Sequence, residues 1–417
     1  MAPLRRPRVG REVCLKTGHS SIPMWLPSRL ANSDKMPGVP QGRFDIFSHN
    51  EYALYDPVRR ANRVTRLLGE FIMWRKLLLI TALTSGVIIP FALAQEQEQP
   101  VRKGGAKAII GAIERLDPRF DELIPKDAQM EKIAEGFIWT EGAVWYKPGK
   151  CLLFSDIPNN VVVKWEPGKG TSEYLKPSGY TGLKPRGGKA GDEPGSNGLS
   201  VDAQGRLHLC EHGDRRVTRI EKNGKKTVLA DNYMGKKFNS PNDLALHPNG
   251  DIYFTDPPYG LAKGDKRELD FTGVYRINAK DGTLSLVAKN LSPNGIALSP
   301  DAKKLYVTHG GKWMVFPVNA DGATGDGKVF VDPAQWTVAK VKGGGVDGLK
   351  CDTKGNIFAT GPGGVCVIAP DGTLLGRFLT ADRTANLCFG GEDGQTLFVC
   401  VNHRIGMVRT TTKGIGW

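Results

Sequence analysis

FNSPNDLALHPNGDIYFTDPPYG, residues Phe238 to Gly260, holds two apolar runs, DLALH and DIYFTD, joined by a His-Pro-Asn-Gly turn. Alternation of period two on both sides of such a turn specifies a β-hairpin. The first strand is nevertheless entered through Ser240, Pro241, Asn242 and Asp243, residues that ordinarily belong to turns. What a polar pair does at the head of a strand is answered by the rest of the chain.

The pattern recurs from residue 141 onward. EGAVWYKPGKCLLFSD starts at Glu141, NGLSVDAQGRLHLCEH at Asn197, NDLALHPNGDIYFTD at Asn242, NGIALSPDAKKLYVTH at Asn294, DGLKCDTKGNIFATG at Asp347 and NLCFGGEDGQTLFVCV at Asn386. The starts are separated by 56, 45, 52, 53 and 39 residues. Strand repeats of about fifty residues without helical periodicity predict propeller blades, whereas a β-helix would repeat at a much shorter period. Further short runs such as GVYRI from Gly273 and TLSLVAK from Thr283 fill out four strands per blade. The expected fold is an all-β, six-bladed β-propeller of four-stranded antiparallel blades over residues 130–413. MEKIAEGF, from Met130, is expected to pair with the last blade and close the ring, which leaves no free edge.

A propeller turns equivalent positions of all blades toward one channel. Glu141, Asn197, Asn242, Asn294, Asp347 and Asn386 therefore form a column of six oxygen-bearing side chains, two acids and four amides. One such residue before a strand is ordinary turn chemistry. Six in register are not, because turns would accept Ser, Gly or Thr at some of them. Two carboxylates facing one channel repel and favour a cation between them. Oxygen donors without thiolate or imidazole suit Ca2+ best, with Mg2+ or Mn2+ as alternatives and Zn2+ less natural. Such a cation polarises a carbonyl or phosphoryl group for hydrolysis. His212, Arg215, Tyr259 and His309, in loops or just after second strands, are candidate substrate contacts. No G-x-S-x-G elbow, H-E-x-x-H or P-loop competes with this reading.

The chain has 417 residues and net charge +14, of which the first 94 residues carry +8. The remainder has no basic stripe interleaved with aromatics, which argues against nucleic-acid binding. MWRKLLLITALTSGVIIPFALAQ, from Met73, has a basic n-region, an apolar run and an Ala92-Leu93-Ala94 cleavage pattern. Residues 73–94 are expected to act as a signal peptide that sends the protein to the periplasm or outside the cell, without stable membrane insertion after cleavage. Residues 1–72 are expected to be an extension from an upstream start assignment, and 95–129 a linker and lead-in. Six of the seven cysteines follow the signal, mostly inside strand-like apolar runs, and read as buried free thiols.

WTEGAVW at Trp139, SPNDLALHPNGDIYFTDPPYG at Ser240, LSPNGIALSPD at Leu291, VDGLKCDTKGNIF at Val346 and NLCFGG at Asn386 resemble the blades of the senescence-marker-protein/gluconolactonase/luciferin-regenerating-enzyme family. The resemblance covers roughly residues 130 to 410, in order and in spacing. It implies a calcium-dependent hydrolase, most often a sugar lactonase. It places the metal ligands on Glu141, Asn242, Asn294 and Asp347, and makes Asp347 the general base. Asp243 becomes a pocket residue and Asn197 a channel-lining one. Regucalcin-type members carry an arginine two residues before the first asparagine, where this chain has Ser240. The expectation is hydrolysis of a small lactone, gluconolactone being the first to try. A phosphotriester hydrolase resembling diisopropyl fluorophosphatase and a non-catalytic propeller that binds carbohydrate or protein are the rivals.

Overall fold

The computed structural model describes residues 108–337 and 344–417. The expected signal peptide at 73–94 and the extension 1–72 lie outside the described residues. Six antiparallel sheets form a six-bladed β-propeller. Blade 1 runs Thr140–Tyr146, Cys151–Asp156, Val161–Glu166 and Gly170–Leu175 from axis to rim. The inner strands of blades 2 to 6 are Ser196–Val201, Leu244–Leu246, Pro293–Leu298, Leu349–Cys351 and Thr384–Gly390. Each inner strand packs on the next, and the sixth packs back on the first.

The core is divided among the seams between blades. Cys151, Leu153 and Val162 of blade 1 meet Leu199, Leu207 and Leu209 of blade 2. Tyr253 and Val274 of blade 3 meet Ile296, Leu305 and Val307 of blade 4. At the closing seam Trp145 stacks on Phe398 with ring centroids 5.5 Å apart. These apolar faces exclude water along the length of every strand, which is the main drive for ring closure. The six cysteines after residue 150 are buried thiols without disulfides.

Glu131–Glu135 adds to the last blade as its outermost strand, with Glu131 opposite Met407 and Glu135 opposite Arg404. A strand that precedes blade 1 thus completes blade 6, tying the two ends of the ring by hydrogen bonds. The lead-in is also structured: Ala112–Arg115 extends blade 5 as a fifth strand beside Leu374–Leu379. Pro118–Glu122 forms a 3-10 turn whose Phe120 is buried between blades 5 and 6.

Candidate active site

The six column residues come together because small residues beside them let the blades approach. A Cβ on Gly142 would fall 1.9 Å from the Asn197 carbonyl oxygen, and its φ of 56° suits glycine. A Cβ on Gly198 would fall 2.6 Å from Asp243 Oδ1, and one on Gly295 2.3 Å from the Asp347 carbonyl oxygen. On Gly348 it would fall 2.5 Å from the Asn386 side chain. The Glu-Gly, Asn-Gly and Asp-Gly pairs are thus close approaches between neighbouring blades at the channel. Hydroxyls complete the ring: Ser155 donates to the Asn197 carbonyl at 2.9 Å, Thr255 to that of Asn294 at 2.6 Å, and Thr308 to that of Asp347 at 2.6 Å.

Acids at the ends of two second strands hold the entry to the channel. Asp156 accepts the N–H groups of Ile138 and Trp139, just before Glu141. Asp256 accepts the N–H groups of Asn239 and Ser240 at 2.9 and 2.8 Å, and the Asn239 amide at 3.0 Å. Burial pushes the Asp256 carboxyl up to about 7 against those donors. The Ser240 hydroxyl donates to the Pro257 carbonyl at 2.5 Å and accepts the Gly260 N–H at 3.0 Å, so it pins the following loop.

Glu141, Asn197, Asn242, Asp243, Asp347 and Asn386 are all buried, and Asn294 is partly so. Burial raises the Glu141 carboxyl to about 8, with Asp243 and Glu193 adding repulsion. Burial likewise raises Asp347 well above the ordinary carboxylate range, with Glu141 as the largest repelling charge and Arg383 opposing it. Asn386 offers its amide to Glu141 and reaches Asp243 Oδ2 at 3.5 Å. Lys350 Nζ lies 3.7 Å from the same Asp243 oxygen. Asn197 Oδ1 is buried without a donor among the described residues.

This donor set fits a hard divalent cation. Two buried carboxylates repel across the channel, amide oxygens flank them, and a buried acceptor stands without a protein donor. Among the described residues no three His, Cys, Asp or Glu side chains are arranged to hold a metal. A candidate set of two carboxylates and two amides offers neither thiolate nor imidazole, the donors that zinc prefers.

The other predicted contacts take different places. His212 is buried, with Nε2 3.4 Å from Asn242 Nδ2 and Nδ1 3.2 Å from Glu193 Oε2, the latter out of line for a hydrogen bond. Tyr259 stands half exposed, its hydroxyl pKa raised by partial burial and then by the charge of Asp347. His309 Nδ1 accepts the Ser292 N–H at 2.8 Å and so anchors the approach to Asn294. Arg215 donates to the carbonyls of Phe238 and Lys266 and lines a cleft of about 400 Å³ with Tyr180, Asp214 and Lys237.

Sequence reasoning missed Glu193, Lys350 and Arg383. Arg383 lies exposed over the Trp139 ring, 4.5 Å from its centroid, two residues from Glu141. No repeat position marks these three residues. The Ser or Thr that precedes the last residue of LFSD, YFTD and YVTH was a readable signal for the inter-blade hydroxyls.

Residues 139–403 match the model of the SMP-30/gluconolactonase/LRE-like region. A gluconolactonase of Zymomonas mobilis is 38% identical over 350 residues, covering 80% of this chain and 97% of that protein. The structure of a gluconolactonase from Xanthomonas campestris superposes with a TM-score of 0.63 at 31% identity, over 74% of this chain and 99% of that one. A calcium-binding regucalcin from Agrobacterium tumefaciens shares the fold with a TM-score of 0.53 at 18% identity, over 75% and 98% of the two chains.

Proposed function

Because the chain belongs to the SMP-30/gluconolactonase/LRE-like family, we propose that it is a calcium-dependent hydrolase of a sugar lactone, with an aldonolactone such as gluconolactone as substrate. The observation that carries the reading is the ring of Glu141, Asn242, Asn294 and Asp347, whose two acids are buried and repel one another. These four residues would hold the cation, which when bound supplies Lewis acidity toward the lactone carbonyl.

The chain's own groups do the rest. Asp347 accepts a proton from the attacking water as oxygen adds to the carbonyl carbon. The ring C–O bond then breaks, and the same proton passes to the departing ring oxygen, which becomes a hydroxyl. Tyr259 and Arg383, at the mouth beside Asp347, orient the sugar hydroxyls. The Ser240 position supplies no cation to the substrate, so recognition differs from that of regucalcin-type members. The 73–94 pattern supports export, with cleavage after Ala94.

The experiment is acid release from a panel of five- and six-membered aldonolactones, and from phosphotriesters, by the full chain with calcium. Lactone turnover well above spontaneous hydrolysis is expected. Phosphotriester turnover without lactone turnover contradicts the proposal.

A further inference from the structure

His212 is 1% exposed. The ring is clamped on one side by Gly260, where a Cβ would fall 2.2 Å from His212 Cγ. Its backbone is tied to the long loop before blade 2, since the His212 N–H donates to the Gly195 carbonyl at 3.2 Å. That loop is itself pinned. Asn160 Oδ1 accepts the N–H groups of Ser178, Gly179 and Tyr180 at 3.1, 2.8 and 3.1 Å. Asp214 accepts the Thr181 hydroxyl at 2.7 Å, and its N–H donates to the Gly179 carbonyl. Glu193 and His212 are therefore carried by one cross-linked unit.

The chemistry of the pair follows from what each atom can do. Glu193 Oε2 lies 3.2 Å from Nδ1, out of line for a hydrogen bond, but an acceptor oxygen at that distance still favours the tautomer with the proton on Nδ1. Nε2 is then an acceptor, and it faces the Asn242 amide nitrogen at 3.4 Å. Were the amide turned over, its oxygen would meet the Nε2 lone pair. We propose that Glu193 and His212 are positioning residues that fix the Asn242 amide with its nitrogen toward His212 and its oxygen toward the channel. The long loop before blade 2 is thereby part of the cation site, although it supplies no ligand. The inference rests on the reading of the channel as a cation site, and it assigns residues that the four-ligand scheme leaves out.

Calorimetric titration of the full chain with Ca2+ alone, after chelation, tests it without recourse to turnover. His212→Phe, which keeps a ring but removes the acceptor, is expected to raise the Kd about 10- to 100-fold, the usual cost of losing a group that orients a ligand. His212→Gln keeps an acceptor and is expected to recover most of the affinity. Glu193 separates positioning from plain electrostatics: Glu193→Gln keeps a neutral acceptor oxygen beside Nδ1–H and should bind nearly as wild type, whereas Glu193→Ala should not. Equal losses in both Glu193 variants, or wild-type affinity in folded His212→Phe, overturn the positioning role. If His212→Phe does not fold, the Glu193 pair alone decides. Wild type that binds no Ca2+ overturns the cation reading itself, and this inference with it.

Discussion

At the scale of single residues, the proposed chemistry gives Asp347 two duties, cation ligand and proton acceptor. It is buried and repelled by Glu141, Asp243 and Glu193, with Arg383 opposing them. A base so placed holds a proton readily, which suits it to shuttling one between water and the ring oxygen. Asp347→Asn keeps the shape and an oxygen donor but removes the proton acceptor. Its expected kcat is lower by about 10²- to 10⁴-fold, with an unchanged circular dichroism spectrum. Turnover by the folded variant at the wild-type rate would remove Asp347 from the chemistry. The column itself was legible because blade repeats put equivalent residues at similar spacing. Glu193 and Arg383 sit in loops of unequal length, where no register carries one blade's residue onto the next, and so they were not legible; His212 was read as a candidate substrate contact, not as a neighbour of Asn242.

Between elements, the glycine after a column residue is a packing device. Gly198 lies where a Cβ would press within 2.7 Å of the Asn242 carbonyl oxygen and 2.6 Å of Asp243 Oδ1. Gly198→Ala is expected to cost about 1–3 kcal/mol, read as a lower urea midpoint. A midpoint unchanged from wild type would show that blades 2 and 3 do not approach so closely. The second strand of blade 2 holds a separate titrating group. His208 is buried, and burial depresses its pKa below 6.5 although Asp202 lies 3.2 Å away. A depressed folded-state pKa gives stability that is present above the unfolded value and lost as pH falls. Thermal stability should therefore decline as pH drops below about 6.5, and His208→Gln should lose that part of the decline. A variant with the full wild-type pH dependence would exclude His208 as its source. From sequence, His208 read only as one residue of an alternating strand. Its burial depends on the neighbouring strand and on Asp202 six residues earlier.

For the whole molecule, the spacing of about fifty residues between copies was sufficient to predict six blades and their closure by the strand after Met130. What it did not show was the fifth strand on blade 5 or the buried Phe120. The lead-in has too short an alternating run for its partner to be read locally, and its place is decided by the edge that Leu374–Leu379 presents. The closed ring matters to function because it forces six polar side chains into one channel, at a cost in buried charge that the proposed cation would offset. Loading the site should accordingly stabilise the fold by about 2.7 kcal/mol at a calcium concentration one hundred times the Kd.

The most direct test of the whole account is gluconolactone hydrolysis by the full chain, followed by acid release, before chelation, after exhaustive chelation, and after calcium is restored. The rate is expected to fall to the spontaneous background on chelation and to return with calcium. Enzymatic hydrolysis that persists undiminished once the divalent cation has been removed would contradict it.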